Sequence, residues 1–251
     1  MLQRIGNLLE HLYGAEASAM LLPEVHMLIT QLGLLVDGKS NSFRRPAVLN
    51  QSDAILITYG DQVRNVGQLP LDTLADFTAI WLKGVVSAVH ILPFYPSTSD
   101  DGFSVSDYYA VDLTLGGWEQ IERLGSDFRL MFDAVFNHAS AQGEWFRGYL
   151  ADDPRYRDYF IHVEGEPDLS QVVRPRALPL LTTFRTADGE RKIWTTFSAD
   201  QVDLNFSNPR VLLRMLDVLL FYVAHGAELI RLDAIAYLWK QVGTPCIHLP
   251  Q

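Results

Sequence analysis

The sequence is poor in cysteine, with Cys246 as the single thiol among 251 residues. One cysteine excludes any disulfide within the chain, so a disulfide-stapled fold is ruled out. Nor does any spacing of His, Cys and Asp match a zinc site. A single thiol suits a reducing compartment, and we expect a cytoplasmic protein.

Basic residues are also scarce, since 20 Lys and Arg stand against 30 Asp and Glu and the net charge is −10. A nucleic-acid partner needs a basic surface that neutralises phosphates, and this balance argues against one. No apolar run is long enough to span a bilayer, and charges interrupt the N-terminal residues, so we expect neither a membrane partner nor a signal peptide. Hydrophobic residues still make up 48% of the chain, which is enough for a substantial core.

The beginning of the chain has a helical pattern. Apolar residues recur at three- and four-residue spacing through residues 1–36, which predicts two amphipathic helices joined near Pro23. The polar stretch "DGKSNSFRRP" follows and predicts a linker. Residues 1–52 are therefore expected to form a helical extension and linker.

From residue 53 onward, short apolar strands alternate with helices. Strands are predicted at 53–60 ("DAILITYG"), 85–96, 128–138 and 227–236, with helices at 69–82, 116–125 and 208–226. This alternation indicates a parallel sheet covered by helices, either doubly wound or closed into a (β/α)8 barrel. Residues 139–207 interrupt the alternation as a large insertion. The insertion favours the barrel, because barrel enzymes often enlarge the loops that follow their strands.

Polar side chains gather where these strands end, which is where parallel α/β folds bind ligands. In chain order they are Asp100, Asp101, Phe103, Asp107 and Tyr108 after the second strand, Asp133, Asn137 and His138 at the third, and Arg231 and Asp233 in the fourth. Such residues at three successive strand ends favour a catalytic or binding site over packing alone.

Arg231 and Asp233 stand two residues apart in an otherwise apolar strand, so both side chains face the same side. A neighbouring guanidinium lowers the pKa of a carboxyl group, and an ionised carboxylate suits a nucleophile. From these two residues alone, a purely structural ion pair is the alternative.

Several segments resemble those of a known family. The segments "DAVFNH" (133–138), "QVDLNFSNP" (201–209) and "IRLDAIAYLWK" (230–240) resemble ordered signature segments of the α-amylase family of glycoside hydrolases. Residues 90–109, "RPRALPLLT" (174–182) and "GTPCIHLP" (243–250) resemble its sucrose phosphorylase branch, which includes glucosylglycerate phosphorylases. The resemblance covers residues 53–251.

The resemblance implies a (β/α)8 TIM barrel that is truncated after strand 4 of eight. Residues 53–138 and 208–251 would form the first half of the barrel, and residues 139–207 would form a small B-domain insertion after strand 3. Residues 1–52 would precede the barrel as a helical extension.

The resemblance also implies a retaining, double-displacement reaction. Asp233 would attack the anomeric carbon of an α-glucoside, such as sucrose or glucosylglycerate, and form a covalent β-glucosyl enzyme. Inorganic phosphate would then release α-glucose 1-phosphate. Arg231 would orient the nucleophile.

The expected substrate-binding residues are Asp100, Phe103, His138, Arg176, Trp194 and Phe197. By the resemblance, Asp100 and His138 bind glucose and Phe103 lines the sugar site. Arg176 would lie near the acceptor or phosphate, where a guanidinium can grip an anion. Trp194 and Phe197 are included because they precede the segment that returns to the barrel mouth.

Three polar residues of these motifs have other expected roles. Asp107 and Asp133 are expected to be structural. Asn137 matches a position that helps to bind calcium in many amylases, but the sucrose phosphorylase branch generally lacks this ion. We therefore expect no metal and no cofactor.

The family pattern also calls for a general acid/base on strand five and a further acidic residue after strand seven, and neither falls within these residues. We therefore expect the 251-residue chain alone to be inactive and to self-associate through open barrel edges. The acceptor stays open among fructose, fructose phosphate, glycerate and glycerol, although the helical extension favours glycerate. A hydrolase or transglucosidase of the same family and a non-catalytic carbohydrate-binding or assembly protein are the alternatives.

One motif suggests a different function. The segment "GLLVDGKS" (33–40) matches the phosphate-binding P-loop pattern, with Lys39 and Ser40 as its chemical residues. The pattern should follow a buried strand and open a helix, whereas here it follows an amphipathic helix. Gly38 is better explained as a helix-end or turn glycine, and His90, inside a strand, as a core histidine.

Overall fold

The structure is a computed structural model, and it describes residues 1–37 and 49–251. Gly38, Lys39, Ser40 and most of the predicted linker lie outside the described residues. The helices are α1 (Leu2–Tyr13), α2 (Ala15–Asp37), α3 (Pro70–Trp81), α4 (Trp118–Gly125), α5 (Glu144–Leu150) and α6 (Pro209–Ala224). The strands are β1 (Ile55–Thr58), β2 (Ala88–Ile91), β3 (Arg129–Val135), β4 (His138–Ser140), β5 (His162–Val163), β6 (Leu181–Thr186), β7 (Gly189–Trp194), β8 (Gln201–Asp203) and β9 (Ala227–Asp233).

The two N-terminal helices meet at Gly14 and not near Pro23, so the predicted junction is wrong. Gly14 has φ 84°, a left-handed conformation that glycine adopts without steric cost. Pro23 lies inside α2, where it removes one backbone donor without ending the helix. The hairpin buries Leu9 of α1 and residues of α2 against Leu213 of α6, and this packing stabilises a helix that contains proline.

The central sheet contains the four predicted strands. They are all parallel and lie in the order β1-β2-β3-β9, so each new strand pairs with the one before it. Helices occupy the connections, as in the first strands of a (β/α)8 barrel. The carboxyl ends of these strands therefore meet at one rim.

The segment between β3 and α6 forms two small antiparallel sheets. Strand β4 pairs with β8, and β5, β7 and β6 form the other sheet in that order. Its aromatic side chains, including Phe146 and Phe160, are buried and belong to the same hydrophobic cluster as the core of the central sheet. In the β4–β8 pair His138 stands opposite Asp203, so this segment is joined directly to the rim.

The core beneath the rim is dense in aromatic rings. Tyr95 and Tyr222 stack with centroids 4.9 Å apart, and Phe94 meets Phe132 edge-on at 5.0 Å. Such buried rings hold the strand ends rigidly. In the part of the chain that the structure describes, no helix combines the length and apolarity of a membrane span.

Candidate active site

The rim brings residues of β3 and β9 side by side. The parallel register pairs Asp133 with Arg231 and Val135 with Asp233. The polar residues that were predicted from separate strand ends therefore lie at one place.

Arg231 contacts two carboxylates at once. Its Nη2 lies 3.0 Å from Asp233 Oδ1, and its Nη1 donates a hydrogen bond to Asp133 Oδ1. The guanidinium also lies over the ring of Phe103, 5.6 Å from the centroid. These contacts fix Arg231 in a position from which it can orient Asp233.

The pKa of Asp233 is raised from its ordinary value of 3.8, because burial disfavours the charged carboxylate. The Arg231 charge opposes this shift, and the Asp133 charge adds to it. The expectation that the guanidinium would hold the pKa low is therefore wrong in its net direction. Arg231 limits the rise that burial causes.

Asp133 has the surroundings of a structural acid. Its side chain is inaccessible to solvent, and Oδ2 lies 2.7 Å from His90 Nε2. His90 is itself buried, as a satisfied core histidine should be. The pair ties β2 to β3 beneath the rim.

His138 lies at the start of β4 and is buried. Asn137 Nδ2 lies 3.3 Å from His138 Nδ1, and His138 Nε2 lies 2.9 Å from the carbonyl oxygen of Phe103. An amide N–H can only donate, so Nδ1 accepts and Nε2 carries the ring proton. Burial lowers the pKa of His138 and favours the neutral ring.

Asp100 lies in a tight loop that follows β2. Asp100 and Asp101 both have positive φ, 56° and 51°, which is uncommon for residues with a side chain. The carboxylate accepts two hydrogen bonds from Arg176 Nη2, at 3.0 and 2.9 Å, and one from Gln201 Nε2 at 2.8 Å. Partial burial alone would raise the pKa of Asp100, but these donors outweigh it and the pKa is lowered.

Gln201 is a site residue that the sequence reasoning missed. Its Nε2 donates to Asp100 Oδ2 at 2.8 Å and to the Phe103 carbonyl oxygen at 3.3 Å. The same carbonyl accepts from His138 Nε2, so Gln201 links Asp100 to His138 through a shared acceptor, and its 3.1 Å approach to Nε2 is a contact between two donors and not a hydrogen bond. Gln201 opens the "QVDLNFSNP" segment, and that position was the available signal. A neutral amide between the acids Asp200 and Asp203 offers no charge pattern that would mark it.

The other predicted residues divide into two groups. Phe197 belongs to the cluster, with its ring 5.2 Å from His138 and 5.8 Å from the Arg176 guanidinium carbon. Trp194 does not, because it is 1% exposed and packs in a separate apolar cluster with Val172, Leu180 and Cys246. Its indole N–H donates to Thr196 Oγ1 at 3.1 Å. The structure therefore corrects the substrate contact expected of Trp194.

A calcium ion does not fit at Asn137. The Asn137 Oδ1 atom accepts from Lys240 Nζ at 2.7 Å, and the same ammonium lies 2.7 Å from Asp203 Oδ2. An ammonium already lies between the oxygens that a metal would need. Among residues 1–37 and 49–251, no group of three or more His, Cys, Asp and Glu is arranged to hold a metal ion.

A four-stranded parallel sheet with helical connections, and with acids, an arginine and a histidine at its carboxyl rim, is typical of a (β/α)-barrel enzyme domain. The family model described as alpha amylase, catalytic domain matches residues 81–249. The chain belongs to the alpha-amylase family.

Within this family, the chain is similar to proteins named glucosylglycerate phosphorylase. The chain is 53% identical over 251 residues to a glucosylglycerate phosphorylase of Spirochaeta thermophila, covering 99% of this chain and 42% of the relative. It is 48% identical to the glucosylglycerate phosphorylase of Escherichia coli K12, covering 99% of this chain and 44% of the relative. The chain thus spans less than half the length of these curated relatives.

A solved structure of another phosphorylase has a similar fold. The sucrose 6F-phosphate phosphorylase from Thermoanaerobacter thermosaccharolyticum superimposes with a TM-score of 0.74 at 29% identity, covering 81% of this chain and 44% of that chain. The likeness supports a TIM-barrel fold for the parallel sheet.

Proposed function

We propose that this chain supplies the nucleophile and the glucose-binding residues of a retaining α-glucoside phosphorylase. One observation carries the proposal: the 3.0 Å contact between Arg231 and Asp233 lies at the same rim as Asp100 and His138, in a member of the alpha-amylase family. Relatives named phosphorylases support the choice of reaction.

In the proposed reaction, an oxygen of the Asp233 carboxylate forms a bond to the anomeric carbon of an α-glucoside. The bond to the leaving oxygen breaks, and a general acid protonates that oxygen. A phosphate oxygen then attacks the same carbon, which breaks the ester to Asp233 and releases α-glucose 1-phosphate. We propose that the general acid/base comes from outside these 251 residues.

Arg231 would serve the first step by limiting how far burial raises the pKa of Asp233. A protonated carboxyl group is a poor nucleophile, so the fraction of ionised Asp233 sets the rate at acidic pH. Asp100 would accept hydrogen bonds from sugar hydroxyls, and Phe103 would cover an apolar sugar face.

Glucosylglycerate is the substrate that we propose. The relatives named glucosylglycerate phosphorylase align over 99% of this chain, including helices α1 and α2. The Arg176 guanidinium, 41% exposed beside Asp100, suits an anionic group such as a glycerate carboxylate or inorganic phosphate. Within this proposal, the boundaries 1–52, 53–138 with 208–251, and 139–207 separate the extension, the barrel half and the B domain.

The nucleophile can be tested with α-glucosyl fluoride. Fluoride leaves without protonation by a general acid, so Asp233 can be glucosylated even where the acid/base is absent. Peptide mass spectrometry should find one hexosyl ester on Asp233. Asp233→Asn should abolish it, and Asp168→Asn, at an exposed carboxylate that bonds the Ser170 backbone, should not.

The acceptor is tested on a longer protein that includes this chain and the proposed general acid/base, by supplying glucosylglycerate with inorganic phosphate and separating the products. Formation of glucose 1-phosphate that depends on phosphate supports the proposed reaction. Faster turnover of glucosylglycerate than of sucrose or glucosylglycerol supports the proposed substrate. Free glucose formed without phosphate would favour a hydrolase. Binding of glucosides with no ester on Asp233 would favour a non-catalytic protein.

A further inference from the structure

Lys240 holds a buried cation beside the candidate site. Its side chain is 3% exposed, and it follows Asp233 on the loop that leaves β9. Its Nζ donates to Asp203 Oδ2 and Asn137 Oδ1, both at 2.7 Å. Burying an ammonium is costly unless it is paired and hydrogen-bonded, and these two oxygens supply both needs.

Asp203 keeps the cation in place. Its side chain is inaccessible to solvent, and it also accepts hydrogen bonds from the Thr196 backbone N–H, at 3.2 Å, and the Thr196 hydroxyl. Acceptance from several donors is the behaviour of an ionised carboxylate. Lys240 thus joins the loop after β9 to β8 and to the end of β3.

The ammonium decides which way the Asn137 amide points. An ammonium has donors and no acceptor, so the amide oxygen of Asn137 must face Lys240. The amide nitrogen then faces the ring of His138, where Nδ2 lies 3.3 Å from Nδ1. Nδ1 has to accept, and the ring proton is therefore on Nε2, which donates to Phe103 O at 2.9 Å.

We propose that Lys240 is a positioning residue that sets the orientation of the Asn137 amide and, through it, the Nε2–H tautomer of His138. In the proposed function this tautomer holds the His138 ring beside the sugar through the Nε2–H bond to the Phe103 carbonyl oxygen. Only that last step rests on the proposed function, because the tautomer exists in the free protein.

The tautomer can be measured directly by ¹⁵N NMR of the imidazole rings at about pH 8, where a histidine with a normal or lowered pKa is neutral. His138→Gln identifies the His138 signals by their loss. In the unchanged protein His138 should show a protonated Nε2 and an unprotonated Nδ1. In Lys240→Met, which keeps the length of the side chain but has no donor, the difference between the two nitrogens should become smaller, because only the Phe103 carbonyl then favours the Nε2–H form.

The matched control is Lys83→Met. Lys83 is 63% exposed and pairs with Asp127 far from the rim, so its loss removes one lysine without touching Asn137. It should leave the His138 signals unchanged. A folded Lys240→Met variant that keeps the Nε2–H pattern would overturn the proposal.

A second variant covers the case in which Lys240→Met does not fold. Lys240→Ala opens space for n-propylammonium, which should restore the melting temperature and the Nε2–H pattern. Tetramethylammonium carries the charge without an N–H donor and should restore neither. Equal rescue by both cations would show that charge alone acts, and it would overturn the proposal.

The two proposals fail in different ways. A changed His138 tautomer in Lys240→Met, together with no glucosyl ester in the unchanged protein, would overturn only the phosphorylase function. A glucosyl ester in the unchanged protein, with an unaltered tautomer in Lys240→Met, would overturn only the role of Lys240.

Discussion

Arg231 lies between two carboxylates of different accessibility, Asp133 at 0% and Asp233 at 18% exposed. The buried acid is structural, because it also bonds His90 and ties the strands together. The more accessible acid faces the candidate site. Arg231 therefore takes part in a structural ion pair with Asp133 and also contacts the candidate nucleophile Asp233. These are the two alternatives that the sequence left open.

Arg231→Met should raise the pKa of Asp233 further, because burial would then act without the opposing charge. The pH of half-maximal glucosylation by α-glucosyl fluoride should move upward, since only the ionised carboxylate attacks. Loss of a partner from buried Asp133 should also lower the free energy of unfolding by up to about 3 kcal/mol. Arg231→Lys keeps a positive charge, so the pH of half-maximal glucosylation should shift less. If this pH is unchanged in Arg231→Met, the proposed role of Arg231 in limiting the pKa of Asp233 is contradicted.

Gly102 sets the loop that carries Asp100 and Phe103. Its φ is 98°, and a Cβ added there would lie 2.7 Å from the carbonyl oxygen of Pro93. Gly102→Ala should therefore lower the free energy of unfolding by more than the roughly 1–2 kcal/mol that a left-handed conformation alone costs a residue with a side chain. It should also displace Asp100. Gly67→Ala is the matched control, with φ 83° and open space around it. Urea unfolding that ranks the two variants equally would argue against the close contact.

Asp200 anchors the same loop to the segment before β8. Partial burial alone would raise its pKa, but hydroxyl donors from Ser99, Thr98, Ser104 and Ser140 outweigh burial and lower the pKa below 3.8. Asp200→Asn should lower the free energy of unfolding at neutral pH by about 1–2 kcal/mol.

The pH dependence of the Asp200 effect has a definite sign. A carboxyl whose pKa is lowered by folding stabilises the protein above its unfolded pKa and loses that contribution as pH falls through the folded value. The difference in unfolding free energy between Asp200→Asn and the unchanged protein should thus shrink below about pH 3.8. A gap that stays constant from neutral pH to pH 3 would contradict this origin.

The outer strands of the central sheet predict self-association. Within the described residues β1 pairs only with β2, and β9 pairs only with β3. Ile57 on β1 and Leu232 on β9 are 64% and 46% exposed. Light scattering of the 251-residue chain should give a mass that rises with concentration, because unpaired edges recruit further strands.

A charge on the free edge tests that origin. Ile57→Lys should reduce the association, and Val66→Lys, at a fully exposed turn residue, should not. A monomer at every concentration would contradict the prediction.

The apolar pattern of the sequence predicts some elements of the fold and not others. The strands around Ile55, Ala88, Arg129 and Ala227 were predictable, since buried parallel strands require continuous apolar runs. The junction of α1 and α2 was not, because Pro23 and Gly14 are both plausible breaks and packing against α6 decides between them.

Some features of the candidate site could likewise be predicted from the sequence, and others could not. Asp100, Phe103, His138, Arg231 and Asp233 were identifiable because strand ends are known places for polar residues. The pKa of Asp233 was not, because burial can oppose and outweigh a neighbouring charge, and burial is not visible in a strand's sequence. Trp194 was misplaced for a related reason: nearness to a motif along the chain does not say which way a ring packs.

The amino-acid sequence by itself determined the alternation of strands and helices, the rim at which polar residues gather, and the family to which they belong. Each of these follows from local periodicity or from residue order. Only the tertiary structure decided that Gln201 binds Asp100 and the Phe103 carbonyl beside His138, and that Lys240 binds the oxygens of Asn137 and Asp203. These contacts join residues up to about a hundred positions apart, and a buried hydrogen bond depends on distance and direction in space, which spacing along the chain does not encode.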